Sequence, residues 1–272
     1  MKRWHIPAVM LTIVSFCSPG LRGQTQLATV PVGANSTAIA FNAATNKIYV
    51  VGGLGNSLTE IDGVTFQATS IPLQSTTDVA TAQVVVNPST NKIYVTNVVS
   101  NNVAMIDGAT HSVSFLPTAK SPYAMAINLV TNKLYVADFD ANRVTVIDGN
   151  QNTVKDIAVG TNPSAVAVNW ATNRIYVANS GNSTVSVING NNDSVTNVRV
   201  GQYPTALAVD VYRNRVYVAN TQGNDLTEIN GQNNSTQSIN RGFVSGACGG
   251  ESDDEQDLRG VPDSGQPRCG RR

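Results

Sequence analysis

Carboxylates recur in this chain at fixed steps. Asp62, Asp107 and Asp148 stand 45 and then 41 residues apart, each followed by glycine, and Asn189 and Asn230 continue the series at intervals of 41. Repeated carboxylates could carry acid–base chemistry or hold a cation. Their exchange with asparagine points instead to a turn, in which either side chain accepts a hydrogen bond from the backbone two residues on. The two histidines offer no better start. His5 lies in an N-terminal apolar segment. His111 follows the Gly108 turn without a partner at ligand spacing and reads as an exposed loop residue. Residues 24–240 hold no Ser–His–Asp set, no cysteine and no glycine-rich phosphate loop. The sequence therefore assigns no catalytic residue, no metal ligand and no cofactor.

A second series is uncharged but for one member. Asn97, Asp138, Asn179 and Asn220 each end a predicted second strand of the repeat. Asn35, Asn162 and Tyr203 stand where copies of the repeat begin. If the strands close around a channel, both sets fall at the same end of it, so these seven are the candidate ligand-binding residues. For any one asparagine, capping of its own loop is the plainer role; a ring of them is what suggests a ligand face. Asp138 breaks the asparagine pattern and adds charge, so it is the first to test.

The elements that must position these residues form a repeat. Tyr49, Tyr94, Tyr135, Tyr176 and Tyr217 mark five copies, 45 and then 41 residues apart. Asn42, Asn87, Asn128, Asn169 and Asp210 keep step seven residues earlier. In the fourth copy "SAVAVN" alternates small apolar residues, "RIYVAN" and "TVSVI" are rich in β-branched types, Asn-Gly follows, and "VTNVRV" closes the copy. Alternation of period two predicts four short antiparallel strands. The Asn-Gly pair predicts a tight hairpin in which both residues take φ > 0. Four strands per copy of this length predict an all-β chain, a β-propeller of four-stranded antiparallel blades.

"NPSTNKIYVTN", "NLVTNKLYVAD" and "NWATNRIYVAN", each followed by a "V…ID/NG" segment, resemble the YVTN-repeat β-propeller family, and "YVTN" itself stands at Tyr94–Asn97. The resemblance covers residues 24–240 and implies a propeller whose intact parent has seven blades. It implies no single activity, since such propellers serve many roles.

Five blades are predicted over residues 33–240, preceded by "QLATVPVG", which matches a fourth strand and makes residues 24–32 an orphan outer (clasp) strand. Residues 1–23 read as a signal peptide: Lys2 and Arg3, an apolar run from Ile6 to Phe16, then small residues. The tail, 241–272, abandons the pattern. Read one nucleotide on, "ESDDEQDLRG" permits N-P-T-T-N-K-I-Y-V, with tyrosine at position 258, 41 after Tyr217. The tail is expected to be a further blade translated out of frame, and disordered.

Of 272 residues only 13% are charged, with a formal net charge of zero, which gives no electrostatic basis for nucleic-acid or anionic-membrane binding. No later stretch is apolar enough to span a bilayer. The expectation is an exported (secreted, periplasmic or cell-envelope), monomeric, non-catalytic binding module for a protein, glycan or small molecule. Its rivals are a lactonase- or lyase-like propeller enzyme with its catalytic residues in further blades, and a structural surface-layer component.

Overall fold

The computed structural model describes residues 11–14, 26–33, 35–52, 56–73 and 81–239. The predicted tail, and most of the predicted signal segment, lie outside the described residues. Two short strands come first, β1 (Leu11–Val14) and β2 (Gln26–Val30), paired antiparallel. Five four-stranded antiparallel sheets follow, each in simple chain order. Blade one is β3 (Ser36–Asn42), β4 (Lys47–Gly52), β5 (Ser57–Asp62) and β6 (Ala68–Pro72). Blade two is β7 (Thr81–Asn87), β8 (Lys92–Asn97), β9 (Asn102–Asp107) and β10 (Val113–Pro117). Blade three is β11 (Pro122–Asn128), β12 (Lys133–Asp138), β13 (Arg143–Asp148) and β14 (Thr153–Ala158). Blade four is β15 (Pro163–Asn169), β16 (Arg174–Asn179), β17 (Thr184–Asn189) and β18 (Val195–Arg199). Blade five is β19 (Pro204–Asp210), β20 (Arg215–Asn220), β21 (Asp225–Asn230) and β22 (Thr236–Ile239). First strands neighbour one another in the order β3, β7, β11, β15, β19. That arrangement is the β-propeller the repeat predicts.

The core lies between blades. Second and third strands are buried on both faces, as in β16, where Ile175, Tyr176, Val177 and Ala178 are all 0% exposed. Tyr176 packs with Val185, Val187 and Val198 of its own blade against Val216, Val218 and Ile229 of the next. A fully buried aliphatic side chain contributes about 1.5–3 kcal/mol, so each junction is worth several. This is why every copy repeats the same apolar types.

Polar groups lock the same junctions. The landmark asparagines are buried and bonded across blades. Asn42 Nδ2 donates to Asn91 Oδ1 (2.8 Å), Asn87 to Asn132 (2.7 Å), Asn128 to Asn173 (2.9 Å) and Asn169 to Asn214 (2.9 Å). Each also turns its own chain: Asn169 Oδ1 accepts from the Ala171 and Thr172 amides.

The hairpin between third and fourth strands differs from expectation. Asp62 Oδ1 accepts from the Val64 and Thr65 amides at 2.9 and 2.8 Å, so its role as a turn former holds. The turn is longer than two residues, however, and the left-handed position is the fourth after the Asp or Asn: Phe66, His111, Asn152, Asp193 and Asn234. The glycines are present for close approach instead. A Cβ on Gly108 would lie 2.5 Å from Asn91 Oδ1, and one on Gly190 2.5 Å from Asn173 Oδ1. The Asn46, Asn91, Asn132, Asn173 and Asn214 series itself holds φ of 50–52°, a conformation that asparagine tolerates better than most residues.

Candidate functional site

The first strands border a cavity of about 840 Å³. Thr37, Ala82, Gln83, Tyr123, Ser164 and Thr205 supply its wall from all five blades, and none of the lining residues among those described is charged. The small residues of the first strands, Ala38, Ala82, Ala124, Ala165 and Ala206, are thus at the cavity. Gln83 is the exception in size: alanine stands at that place in the other copies, and the Gln83 side-chain carbonyl accepts the Met125 amide of the next blade.

Tyr123 is 51% exposed at this cavity. Its ring centroid lies 6.0 Å from that of Phe139, with the planes tilted by 51°. Both break the repeat. Tyr123 replaces Thr37, Ala82, Ser164 and Thr205, and Phe139 replaces Val98, Ser180 and Thr221. Departure from the period was the available signal, and the sequence reading passed over both.

Asn35, Asn162 and Tyr203, together with Ser121, hold left-handed φ of 51–62° where the chain enters blades one, four, five and three respectively. The loops that follow the second strands reach them. Phe139 N donates to Ser121 O (2.9 Å), Ser180 N to Asn162 O (3.0 Å) and Thr221 N to Tyr203 O (3.0 Å). The two kinds of loop therefore do share one end, as expected, and Tyr203 presents a ring that is 40% exposed there.

Asn97, Asp138, Asn179 and Asn220 are placed differently from the surface ring expected of them. They are 0–2% exposed, one residue behind the rim, with side chains turned into their own blades. Asn179 Nδ2 donates to Thr184 Oγ1 (3.0 Å) and Ser186 Oγ (2.9 Å), and Asn220 repeats this with Asp225 and Thr227. Asn97 Nδ2 reaches Asn102 Oδ1 at 2.7 Å. Blade-connecting glycines close over them: a Cβ on Gly160 would meet Asn179 Cγ at 2.6 Å, and one on Gly201 would meet Asn220 Nδ2 at 2.5 Å. Strand pairing that sets Pro163 opposite Asn179 draws the connection across this side chain.

Asp138 shares the position without the amide. Its Oδ2 accepts from the Thr145 hydroxyl (2.6 Å) and amide (3.1 Å). Burial pushes its carboxyl up to about 7, with the Asp156 charge adding to the rise and the Thr145 hydrogen bonds opposing it. Oδ1 of Asp138, like those of Asn97, Asn179 and Asn220, is enclosed without a hydrogen-bond partner among the described residues. A neutral carbonyl tolerates that enclosure better than a charged oxygen does.

His111 is in the predicted turn with its side chain 36% exposed, and its Nε2 lies 3.2 Å from Glu60 Oε2 of blade one. Among the described residues no three His, Cys, Asp or Glu side chains are grouped to hold a metal, and no helix is long and apolar enough to cross a membrane.

The NHL repeat family matches residues 161–188, which span the first three strands of blade four. Comparison with curated proteins gave no match. Among solved structures 1314 chains match. One is a chain from the crystal structure of a nidogen/laminin complex. It is 13% identical with a TM-score of 0.60, and the match covers 80% of this chain and 84% of that one. The chain is thus an all-β propeller of repeated four-stranded blades, similar over part of its fourth blade to the NHL repeat.

Proposed function

We propose that this chain is an exported interaction module that engages an uncharged polar ligand, a glycan or peptide segment, at the end of its central cavity. The observation that carries the reading is the exposed Tyr123 beside Phe139 at the edge of a cavity with no charged lining residue among those described. Aromatic faces bind sugar rings and peptide side chains by contact area, while neighbouring hydroxyls and amides set orientation. Gln83, Ser164 and Thr205 are the orienting groups, and Asn35, Asn162 and Tyr203 extend the contact at the rim. The basic-then-apolar N-terminus supports export. That one of the structural matches comes from a complex with laminin is compatible with a protein partner.

The test is a titration of neutral oligosaccharides and uncharged peptides, followed by calorimetry. Binding weakened tenfold or more by Tyr123→Ala, and unchanged by Tyr212→Ala at a 95% exposed site, supports the reading. Substrate turnover that depends on a divalent ion or on Asp138 would replace it with an enzyme.

A further inference from the structure

The end of the blades opposite the cavity rim carries exposed apolar side chains that the ligand site does not use. The chain enters each blade at the rim, runs along the first strand and turns at the far end. In blades three to five those turns are Asn128–Asn132, Asn169–Asn173 and Asp210–Asn214, with two variable residues after the first position. Blade three places Leu129 and Val130 there, blade four Trp170 and Ala171, and blade five Val211 and Tyr212. Leu129 is 49% exposed, Val130 72%, Trp170 50% and Tyr212 95%. The Asn128–Asn173 and Asn169–Asn214 hydrogen bonds join neighbouring turns, so these tips form one continuous arc across three blades. Single exposed apolar residues are ordinary, whereas a contiguous group of them marks a contact surface.

Three features of the arc select its occupant. First, what recurs is apolarity and not shape. Leu-Val, Trp-Ala and Val-Tyr fill one place in three neighbouring blades, and Ala43-Ala44 fill it in blade one. A protein partner reads size and shape, whereas a layer of acyl chains reads apolarity alone. Second, the tips satisfy their own backbone. Asn128 Oδ1 accepts from the Val130 and Thr131 amides, Asn169 Oδ1 from those of Ala171 and Thr172, and Asp210 Oδ1 from that of Arg213. An unpaired amide is costly away from water, so turns closed in this way can enter an apolar layer. Third, the side-chain types match a lipid interface. Trp and Tyr concentrate at the boundary between acyl chains and headgroups. Lys133, Arg174 and Arg215 begin the second strands that leave these turns, and such side chains lay an apolar stem along the layer with the charge at headgroup level. Charges at this end are paired, Arg213 with Asp210 at 3.0 Å and Arg215 with Glu228 at 3.3 Å, which favours a zwitterionic layer over an anionic one.

We propose that this arc docks the protein on a zwitterionic lipid surface. Leu129, Val130, Trp170 and Tyr212 enter the layer as far as the boundary between headgroups and acyl chains, and the strands stay outside it. The outer turns at the same end supply amides at headgroup level: Asn150 and Asn191 are bonded to Asn132 and Asn173 at 2.9 and 2.8 Å. Docked in this way, the blades hold the cavity rim at their other end away from the lipid and open to a ligand.

The test uses the full chain with Trp4→Phe, which leaves Trp170 as its one tryptophan, and vesicles of phosphatidylcholine. The expected result is a blue shift of Trp170 emission when vesicles are added and quenching of that emission by brominated phosphatidylcholine, both as strong in high salt as in dilute buffer. Val130→Asp combined with Tyr212→Ser should weaken partition into vesicles at least tenfold. Val99→Asp, at a 57% exposed site at the opposite end, should leave it unchanged. The quenching is read without altering the arc, so it decides the matter even if the double variant folds poorly. An emission that vesicles leave unchanged overturns the proposal. Vesicle binding with Trp170 unquenched overturns it too, and assigns attachment to the apolar N-terminal segment. So does a requirement for anionic lipid, or a blue shift that grows with protein concentration in the absence of lipid, which would assign the arc to a second copy.

Discussion

Asp138 Oδ2 lies 2.6 Å from the Thr145 hydroxyl, and one period later Asn179 Nδ2 lies 2.9 Å from the Ser186 hydroxyl. In blade four the amide donates to Ser186, and Ser186 donates to Asn197 Oδ1 at 2.7 Å. In blade three the one hydroxyl stands between two carboxylates, with Asp156 Oδ1 3.0 Å away. A single hydroxyl hydrogen can serve only one of them. A proton on Asp138 restores the blade-four pattern, since the acid can then donate to Thr145 and leave its hydroxyl free for Asp156.

Asp138→Asn should therefore stabilise the chain at neutral and alkaline pH. A carboxyl raised to about 7 in the folded state and 3.8 otherwise contributes stability that is present in acid and lost as pH rises through about 7. Wild type should lose stability between about pH 4 and pH 7, and Asp138→Asn should not. The difference at the upper end is on the order of 1–3 kcal/mol. Asp62 and Asp107 shift the other way, held down by backbone amides and by Lys92 respectively, so they weaken the fold only in stronger acid. Thermal melts across that window decide the matter; equal slopes for both proteins would refute it.

Gly190→Ala should destabilise by about 1–3 kcal/mol, the usual range for overpacking, because the new methyl meets Asn173 Oδ1 at 2.5 Å. Adding Asn173→Gly removes the clash but also the oxygen that accepts from Asn128 Nδ2, so the double variant should recover little of the loss. Gly33→Ala, with nothing within 4 Å among the described residues, is the neutral comparison. Urea unfolding midpoints measure all three.

Asn169→Asp keeps the oxygen that receives the Ala171 and Thr172 amides but turns the Nδ2 donor into an acceptor facing Asn214 Oδ1. Loss of that buried bond should cost roughly 1–3 kcal/mol. Asp210→Asn in blade five should cost less, because Asp210 turns toward its own Arg213 at 3.0 Å. Melting the two variants side by side tests whether the asparagine works across the junction or only within its turn.

The gene itself offers a check. Around codons 239–242 the adjacent frame should run on as strand pattern, with valine-rich segments and a tyrosine codon at position 258. Stop codons throughout that frame would show the tail to be the intended sequence.

Much of the architecture was legible because it is local and repeated. Alternating Val and Ala, the tyrosine every 41 or 45 residues and the Asp-Gly or Asn-Gly turns each act within a few residues, so period alone defined five four-stranded blades. The turn chemistry of Asp62 and Asp107 followed likewise from exchange with asparagine. Other features depended on which segments meet. Asn97, Asp138, Asn179 and Asn220 look like a polar ring when read along the chain, yet in the blade the Gly160 and Gly201 connections lie over two of them and their own third strands take their hydrogen bonds. Tyr123 and Phe139 are 16 residues apart and touch only because a first strand and the loop after a second strand reach the same end of the blade. Val30 covers Ile61 although no local pattern joins them. Local spacing determined the strands, whereas which face each side chain shows to water was decided by the neighbouring blade, because burial is a property of packed surfaces and not of sequence position.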